Sequence, residues 1–201
     1  MTLYAIKPAF QSVLRPLVGG LARCGVTANQ VTCLAAGISV GYAGLLFAFN
    51  GPALLFALLP AVLFIRMALN AIDGMLAREH SQSSRLGAYL NEICDLISDA
   101  ALILPFSLVS PFSIAWIAAI IGLAWLTEIV GILGSATGGA RRYDGPMGKS
   151  DRAFVLGLLG VLVWGLGGLS SVFYWFQPLF CLSLAVTVRN RMRAELAQGG
   201  A

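Results

Sequence analysis

The sequence predicts an all-α integral membrane protein of six transmembrane helices behind an N-terminal amphipathic interfacial helix, with both termini in the cytosol. Three observations predict it. First, 58% of the 201 residues are hydrophobic, only 11% are charged, and the mean hydropathy is +0.84. A soluble domain carries about 25% charged residues, so lipid must cover much of this exterior. Second, six stretches are long and apolar enough to span a bilayer, which takes about 20 residues. Third, the basic residues segregate between alternate ends of those stretches. The length suits a single membrane domain over residues 1–201.

Residues 5–22 predict the interfacial helix. Phe10, Val13, Leu14, Leu17 and Leu21 recur at helical spacing, Lys7, Gln11 and Arg15 lie elsewhere on the wheel, and Pro16 predicts a kink. The segment contains no apolar stretch with a small-residue cleavage site, so no signal peptide is read here. The predicted spans are Asn29 to Phe49, Pro52 to Arg78, Leu86 to Val109, Phe112 to Ser135, Asp151 to Leu169 and Ser171 to Arg191. Asn50-Gly51, Ser110-Pro111 and the Gly167-Gly168 region supply the turns on one side, and those turns contain no Lys or Arg.

Of the thirteen basic residues, only Arg66 lies deep within a span. The others flank the N-terminal segment, the loop between spans two and three, the loop between spans four and five, and the end of span six. By the positive-inside rule these regions are cytosolic. The net charge of +4 is thereby a topology signal and not a nucleic-acid footprint. Cys24, Cys33, Cys94 and Cys181 are scattered, which excludes a zinc ribbon or disulfide framework and predicts small buried fillers. Gly37 with Gly41, and Gly134 with Gly138, have the spacing for close helix packing. His80 reads as a solvated loop residue.

Ionisable groups inside a bilayer cost about 2.5 to 3.5 kcal/mol each, so those present require a reason. Arg66, Asn70 and Asp73 share one face of span two, and Ala77 continues it. Gly87, Asn91, Asp95 and Asp99 fall at four-residue steps on one face of span three, with Glu92 beside them. The short loop between makes these spans antiparallel neighbours. Equal depth then pairs Asp73 with Asn91, Asn70 with Asp95, and Arg66 with Asp99.

The deep pair, Arg66 and Asp99, reads as a structural ion pair. The shallow group brings two carboxylates and two amides together with no basic residue at their depth. Such a cluster holds either a hard cation or a shared proton. Arg78, at the mouth, is either a phosphate contact or a positive-inside anchor. Glu128 in span four has three open readings: support for the site, pairing with Arg66, or protonation in place.

The run Asn70-Ala-Ile-Asp73-Gly74-Met-Leu-Ala77-Arg78, then Gly87, Asn91 and Asp95, resembles the signature of the CDP-alcohol phosphotransferase family, D-x2-D-G-x2-A-R-x8-G-x3-D-x3-D. Every spacing matches, and Asn70 and Asn91 replace the first and third aspartates. The chain is most similar to a branch of the family with asparagine at these positions. Ala28-Asn29-Gln30-Val31-Thr32 resembles the family's P-N-x-x-T opening of span one, and Gly148-Lys149 its G-K segment before span five.

The resemblance implies transfer of a phosphatidyl, or other substituted phosphate, group from a CDP-linked lipid such as CDP-diacylglycerol to the hydroxyl of a small alcohol or polyol, releasing CMP. It implies Asp73 as a metal ligand and Asp95 as ligand and general base. It also implies a CDP pocket shaped by Asn29, Thr32, Gly74, Ala77, Arg78 and Gly87, with Arg141, Arg142 and Lys149 facing an acceptor phosphate. Family members commonly hold two divalent ions on four carboxylates. Here Asp73 and Asp95 supply two, with Asn70 and Asn91 as neutral donors, which predicts one firmly bound Mg²⁺ or Mn²⁺. A homodimer in a bacterial inner membrane, with a cytosol-facing site, is implied by the same likeness. Two other readings stand beside it: a catalytically silent binder of CDP-lipid, and a small transporter prompted by Arg66, Asp99 and Glu128.

Overall fold

The computed structural model describes residues 7–136 and 139–197. Among these residues the chain is all-helical, with no strand. Its helices are α1 (Lys7–Arg23), α2 (Ala28–Ala48), α3 (Ala53–Ala57), α4 (Leu59–Glu79), α5 (Arg85–Ile103), α6 (Ile114–Ala136), α7 (Lys149–Gly165) and α8 (Phe176–Leu196). Short 3-10 turns occupy Leu104–Leu108 and Ser171–Trp175. Four segments are long and apolar enough to cross a membrane: Ala28–Ala48, Leu59–Glu79, Ile114–Ala136 and Ser171–Leu196. Of the other two predicted spans, α5 carries Arg85, Glu92, Asp95 and Asp99 within 19 residues, and α7 is only 17 residues long.

The interfacial helix runs from Lys7 and continues through Pro16. Residues 5 and 6 of its predicted extent lie outside the described residues. Its apolar side divides. Val18 is fully buried and, with Leu14 and Leu21, packs on Val31, Ile72, Met75 and Leu76. Val13 and Leu17 stay exposed, because one helix cannot turn a stripe this wide wholly toward α4. Arg15 clamps the end of α4 through two 3.0 Å hydrogen bonds to the Glu79 carboxylate.

A capping box starts α2, in which Thr27 Oγ1 accepts from the Gln30 amide and Gln30 Oε1 from the Thr27 amide. The predicted second span is not one helix. It breaks at Leu58 into α3 and α4, because Pro60, in the first turn of α4, has no amide hydrogen to continue the ladder. The third predicted span leaves the α-helical path after Ile103, ahead of Pro105. Gly167 and Gly168, both at positive φ, follow the end of α7.

In the packing, α2 lies against α4 and α5, α6 against α8, and α7 against α3 and α4. One core joins Phe56, Leu59, Phe106, Ile120, Leu156 and Leu184, and many large apolar side chains face outward, among them Leu54, Phe64, Leu158 and Leu179. A wide apolar exterior over a packed interior is the arrangement that a lipid solvent selects.

Two small-residue expectations are corrected. A Cβ at Gly37 or Gly41 would meet nothing within 4 Å, so that pair makes no close approach within the fold. Gly134 does, against Ala140 O, while Gly138 lies outside the described residues. Of the cysteines only Cys181 is buried, and Cys24 and Cys33 are exposed. Cys24 lies in the turn after α1 and Cys33 on an outward position of α2. His80 is exposed at the end of α4, as a loop histidine should be.

Gly160 carries the tightest contact between α7 and the α3–α4 break, since a Cβ there would stand 2.6 Å from Phe56 O. Gly160→Ala is expected to lower the thermal midpoint in detergent, with a destabilisation of about 1–3 kcal/mol from overpacking. Gly122→Ala, with open space around the same mid-helix position, is expected to leave it unchanged or slightly raised.

Candidate active site

The site lies where α2 begins, α4 ends and α5 begins. Helical periodicity sets Asn70 and Asp73 on one face of α4, and Asn91 and Asp95 on one face of α5. Asp73 is 5% exposed, and its Oδ2 accepts a 2.7 Å hydrogen bond from Thr32 Oγ1 of α2. Thr32 Oγ1 also lies 3.0 Å from Ala28 O. Asn70 Nδ2 donates to Asp95 Oδ1 at 3.0 Å, which places these residues at one level. Asn91 Nδ2 makes a longer 3.4 Å contact with Glu92 Oε1.

Two glycines make room for close approaches. A Cβ at Gly74 would lie 3.0 Å from Arg78 Nη2, so the guanidinium lies across that glycine. A Cβ at Gly87 would lie 2.8 Å from Asn29 Oδ1, so Asn29 of α2 seats against the start of α5. Ser84 caps α5 through the Gly87 amide at 2.9 Å. Gln82 locks the loop to α2, since its Oε1 accepts from the Ala28 amide at 2.7 Å and its Nε2 donates to Val26 O at 3.2 Å. Ser83 Oγ and the Gln82 amide both donate to Ala77 O. Asn29, Thr32, Asp73, Gly74, Ala77, Arg78 and Gly87 thus gather at one end of three helices.

The shallow carboxylates are not free of cations, contrary to the expectation from depth. The Lys149 ammonium, at the start of α7, contacts Asp95 Oδ1, and Arg66 Nη2 stands 3.5 Å from the same oxygen. Lys149 reaches this level because α7 packs against α4, which brings it to Asp95, 54 positions away in the chain.

The deep pair is also more than a pair. Arg66 Nη1 lies 2.7 Å from Asp99 Oδ1, and Arg152 Nη2 lies 2.6 Å from Asp99 Oδ2 and 3.0 Å from Glu128 Oε1. Arg152 Nη1 also donates to Thr127 Oγ1 at 3.0 Å. Glu128 further meets Arg141 at 3.2 Å and Arg191 at 3.7 Å. The three open readings of Glu128 therefore give way to membership of an arginine-carboxylate chain that runs from Asp95 to Glu92. Sequence reading left Arg152 among the cytosolic charges, although Glu128 in mid-span, lacking any neighbour of opposite charge in its own helix, signalled that a distant cation was needed.

The remaining basic residues predicted for the acceptor are engaged as well. Arg141 contacts both Glu92 oxygens, and Arg142 Nε lies 2.9 Å from Glu195 Oε2. The charges that suggested a transporter are thus paired inside the bundle, Arg66 with Asp99 and Glu128 with Arg152.

Among the described residues no three His, Cys, Asp or Glu side chains come together as a metal cluster. The donors present are the two carboxylates and the two amide oxygens. All are hard oxygen ligands, and Asn70 spends its NH₂ on Asp95, which leaves its carbonyl oxygen for a cation. Lys149 and Arg66 already stand on Asp95, which lowers the negative charge that this carboxylate offers to a cation.

The sequence profile of CDP-alcohol phosphatidyltransferase matches residues 25–189. The chain is 51% identical over 163 residues to the inner membrane protein YnbA of Escherichia coli strain K12, covering 81% of each protein. It is 38% identical over 96 residues to the phosphatidylinositol phosphate synthase of Mycobacterium tuberculosis H37Rv, which spans 48% of this chain and 42% of that enzyme. Crystal structures of that species' phosphatidylinositol phosphate synthase share the fold. The one with CDP-DAG bound has a TM-score of 0.69 at 23% identity, covering 90% of this chain and 92% of the other. The one with manganese and citrate has a TM-score of 0.68 at 24% identity, covering 90% and 88%. The match across nearly the whole helical domain, together with the spacing from Asn70 to Asp95, makes this chain a member of the CDP-alcohol phosphatidyltransferase family.

Proposed function

We propose that this protein transfers the phosphatidyl group of a CDP-diacylglycerol-type lipid to the hydroxyl of a small alcohol, releasing CMP. The observation that carries this reading is the convergence of Asp73, Gly74, Arg78, Gly87, Asp95, Asn29 and Thr32 on one end of α2, α4 and α5. The six apolar segments all span the bilayer, α5 and α7 included, a reading supported by the pairing of Glu92, Asp95, Asp99 and Arg152 within the bundle. Basic residues at the ends of α1, α4 and α8 support a cytosol-facing site, and the likeness to an inner membrane protein supports a bacterial inner membrane. A cleft there admits a soluble alcohol from water and a lipid from the side, and the protein works as a homodimer.

The chain's own residues divide the work. Asn29 and Gly87 shape the wall that takes the nucleotide, and Arg78, lying over Gly74, offers a guanidinium to the pyrophosphate. Thr32 fixes Asp73 in one rotamer. Asp95 accepts the proton of the attacking hydroxyl as its oxygen bonds to the lipid-side phosphorus. The phosphorus-oxygen bond to CMP breaks, and CMP leaves with the electron pair. Asp73 and Asp95, with Asn70 and Asn91, hold one Mg²⁺ or Mn²⁺, which when bound offsets the charge on the pyrophosphate.

The metal count follows from the carboxylate count. Mn²⁺ titration of the purified protein, followed by the electron spin resonance of free Mn²⁺, is expected to give one tight site. The Asn70→Asp with Asn91→Asp variant is expected to bind more tightly and to gain a second site. Equal affinity and stoichiometry in both proteins would contradict the charge argument.

A second reading, a silent binder of CDP-lipid, is favoured by the same two asparagines and by the cations already seated on Asp95. Labelled CDP-diacylglycerol given with Mg²⁺ and a panel of alcohols separates the two. CMP release lost in Asp73→Ala supports the transferase, and lipid binding without CMP release supports the binder.

A further inference from the structure

We infer that the acceptor alcohol carries no phosphate of its own. The inference rests on the transfer reaction proposed above and names the substrate class for that site. A phosphorylated alcohol needs cationic side chains with spare donors near the attacking hydroxyl. The basic residues beside Asp95 or against the 139–148 loop are Arg66, Arg141, Arg142, Lys149, Arg152 and Arg191, and each is already matched to a carboxylate.

Arg141 directs both terminal nitrogens at carboxylates, one on Glu92 and the other shared between Glu92 and Glu128. Arg142 is held by Glu195 Oε2 at 2.9 Å and by Ala194 O at 2.7 Å. Lys149 is seated on Asp95. To bind a phosphate, Arg141 would have to leave Glu92 and Glu128. Glu92 would then face the incoming dianion without its cation, and Glu128, only 8% exposed, would keep Arg152 and the more distant Arg191 but lose a contact of 3.2 Å. Removing one partner from such a pair is strongly unfavourable, and the dianion adds like-charge repulsion. A neutral hydroxyl group asks for none of this. It can accept from Lys149 and donate to Asp95 with the ion pairs left in place. Glu92 is thereby a specificity-determining residue, since its carboxylate fills the fork of Arg141 that a phosphate would occupy.

Matched acceptor pairs isolate the phosphate. Purified full-length protein is given CDP-diacylglycerol, Mg²⁺ and either glycerol or glycerol 3-phosphate, and either inositol or inositol 1-phosphate, with CMP release as the readout. Release with the unphosphorylated member is expected to exceed its partner at least tenfold in at least one pair. Glu92→Gln, which frees one arm of Arg141, is expected to shift that ratio at least tenfold toward the phosphorylated member. Faster release with the phosphorylated members would overturn the inference and leave the transferase reading standing. An unchanged ratio in a folded Glu92→Gln protein would overturn the role of Glu92. Absence of CMP release with every acceptor would overturn the transferase reading and this one together.

Discussion

Replacing Arg152 by methionine is expected to destabilise the protein by about 3–5 kcal/mol, the cost of breaking a buried ion pair by removing one partner. Arg152 is 2% exposed and supplies hydrogen bonds to Asp99, Glu128 and Thr127. Asp99 keeps Arg66 in the variant, and Glu128 keeps Arg141 and the more distant Arg191. Each carboxylate nevertheless loses a contact of 3.0 Å or less in a low-dielectric interior. For a chain of this size the thermal midpoint in detergent should fall by roughly 10 °C. Adding Glu128→Gln to Arg152→Met removes one of the stranded charges and is expected to recover part of the loss. A midpoint for Arg152→Met within 2–3 °C of wild type would show that the arginine chain does not hold the bundle together.

The largest effect on activity is expected at Asp73 and Asp95. Asp73→Ala should lower CMP release from CDP-diacylglycerol by about a thousandfold, the scale for removing a group that stabilises charge at the reacting centre. The variant should still fold. Thr32 Oγ1 retains Ala28 O when Asp73 is gone, so no buried donor is left without a partner. Its thermal midpoint is therefore expected to stay close to wild type, which separates lost chemistry from lost structure. Asp95→Ala should lower kcat by about a hundredfold or more, as for other positioned bases. It should also cost some stability, because Lys149 loses its carboxylate while Arg66 keeps Asp99. A folded Asp73→Ala protein with wild-type activity would place the chemistry elsewhere.

The parts of the site carried by α4 and α5 were readable from sequence because two local rules decide them. Three- and four-residue steps put Arg66, Asn70 and Asp73 on one face, and Asn91, Asp95 and Asp99 on another. A short loop then forces the two faces together. The 3.0 Å contact of Asn70 with Asp95 and the 2.7 Å contact of Arg66 with Asp99 follow from depth alone. What stayed hidden depends on tertiary packing. Lys149 and Arg152 come from α7, more than fifty residues along the chain from the carboxylates of α5 that they meet. A positive charge near a predicted helix start reads as a topology signal, and no periodicity announces that it turns inward. Gln82 was equally silent, as a polar residue in a polar loop, until the start of α2 came within reach of its amide. The break at Leu58 was missed because Pro60 sits in a continuous apolar run, where hydropathy registers length and not the missing amide hydrogen. The interfacial helix was legible as an element, but the choice of Val18 over Val13 as the buried residue required the surface of α4.

The central claim is that a CDP-linked lipid is consumed and a phosphodiester lipid formed at Asp73 and Asp95. The most direct measurement is mass spectrometry of the lipids of bacterial membranes overproducing the wild-type protein, compared with membranes holding equal amounts of Asp73→Ala. A phosphodiester lipid with a small alcohol headgroup, raised with the wild type and absent with the variant, is the predicted result. Identical lipid profiles for the two proteins would contradict the account.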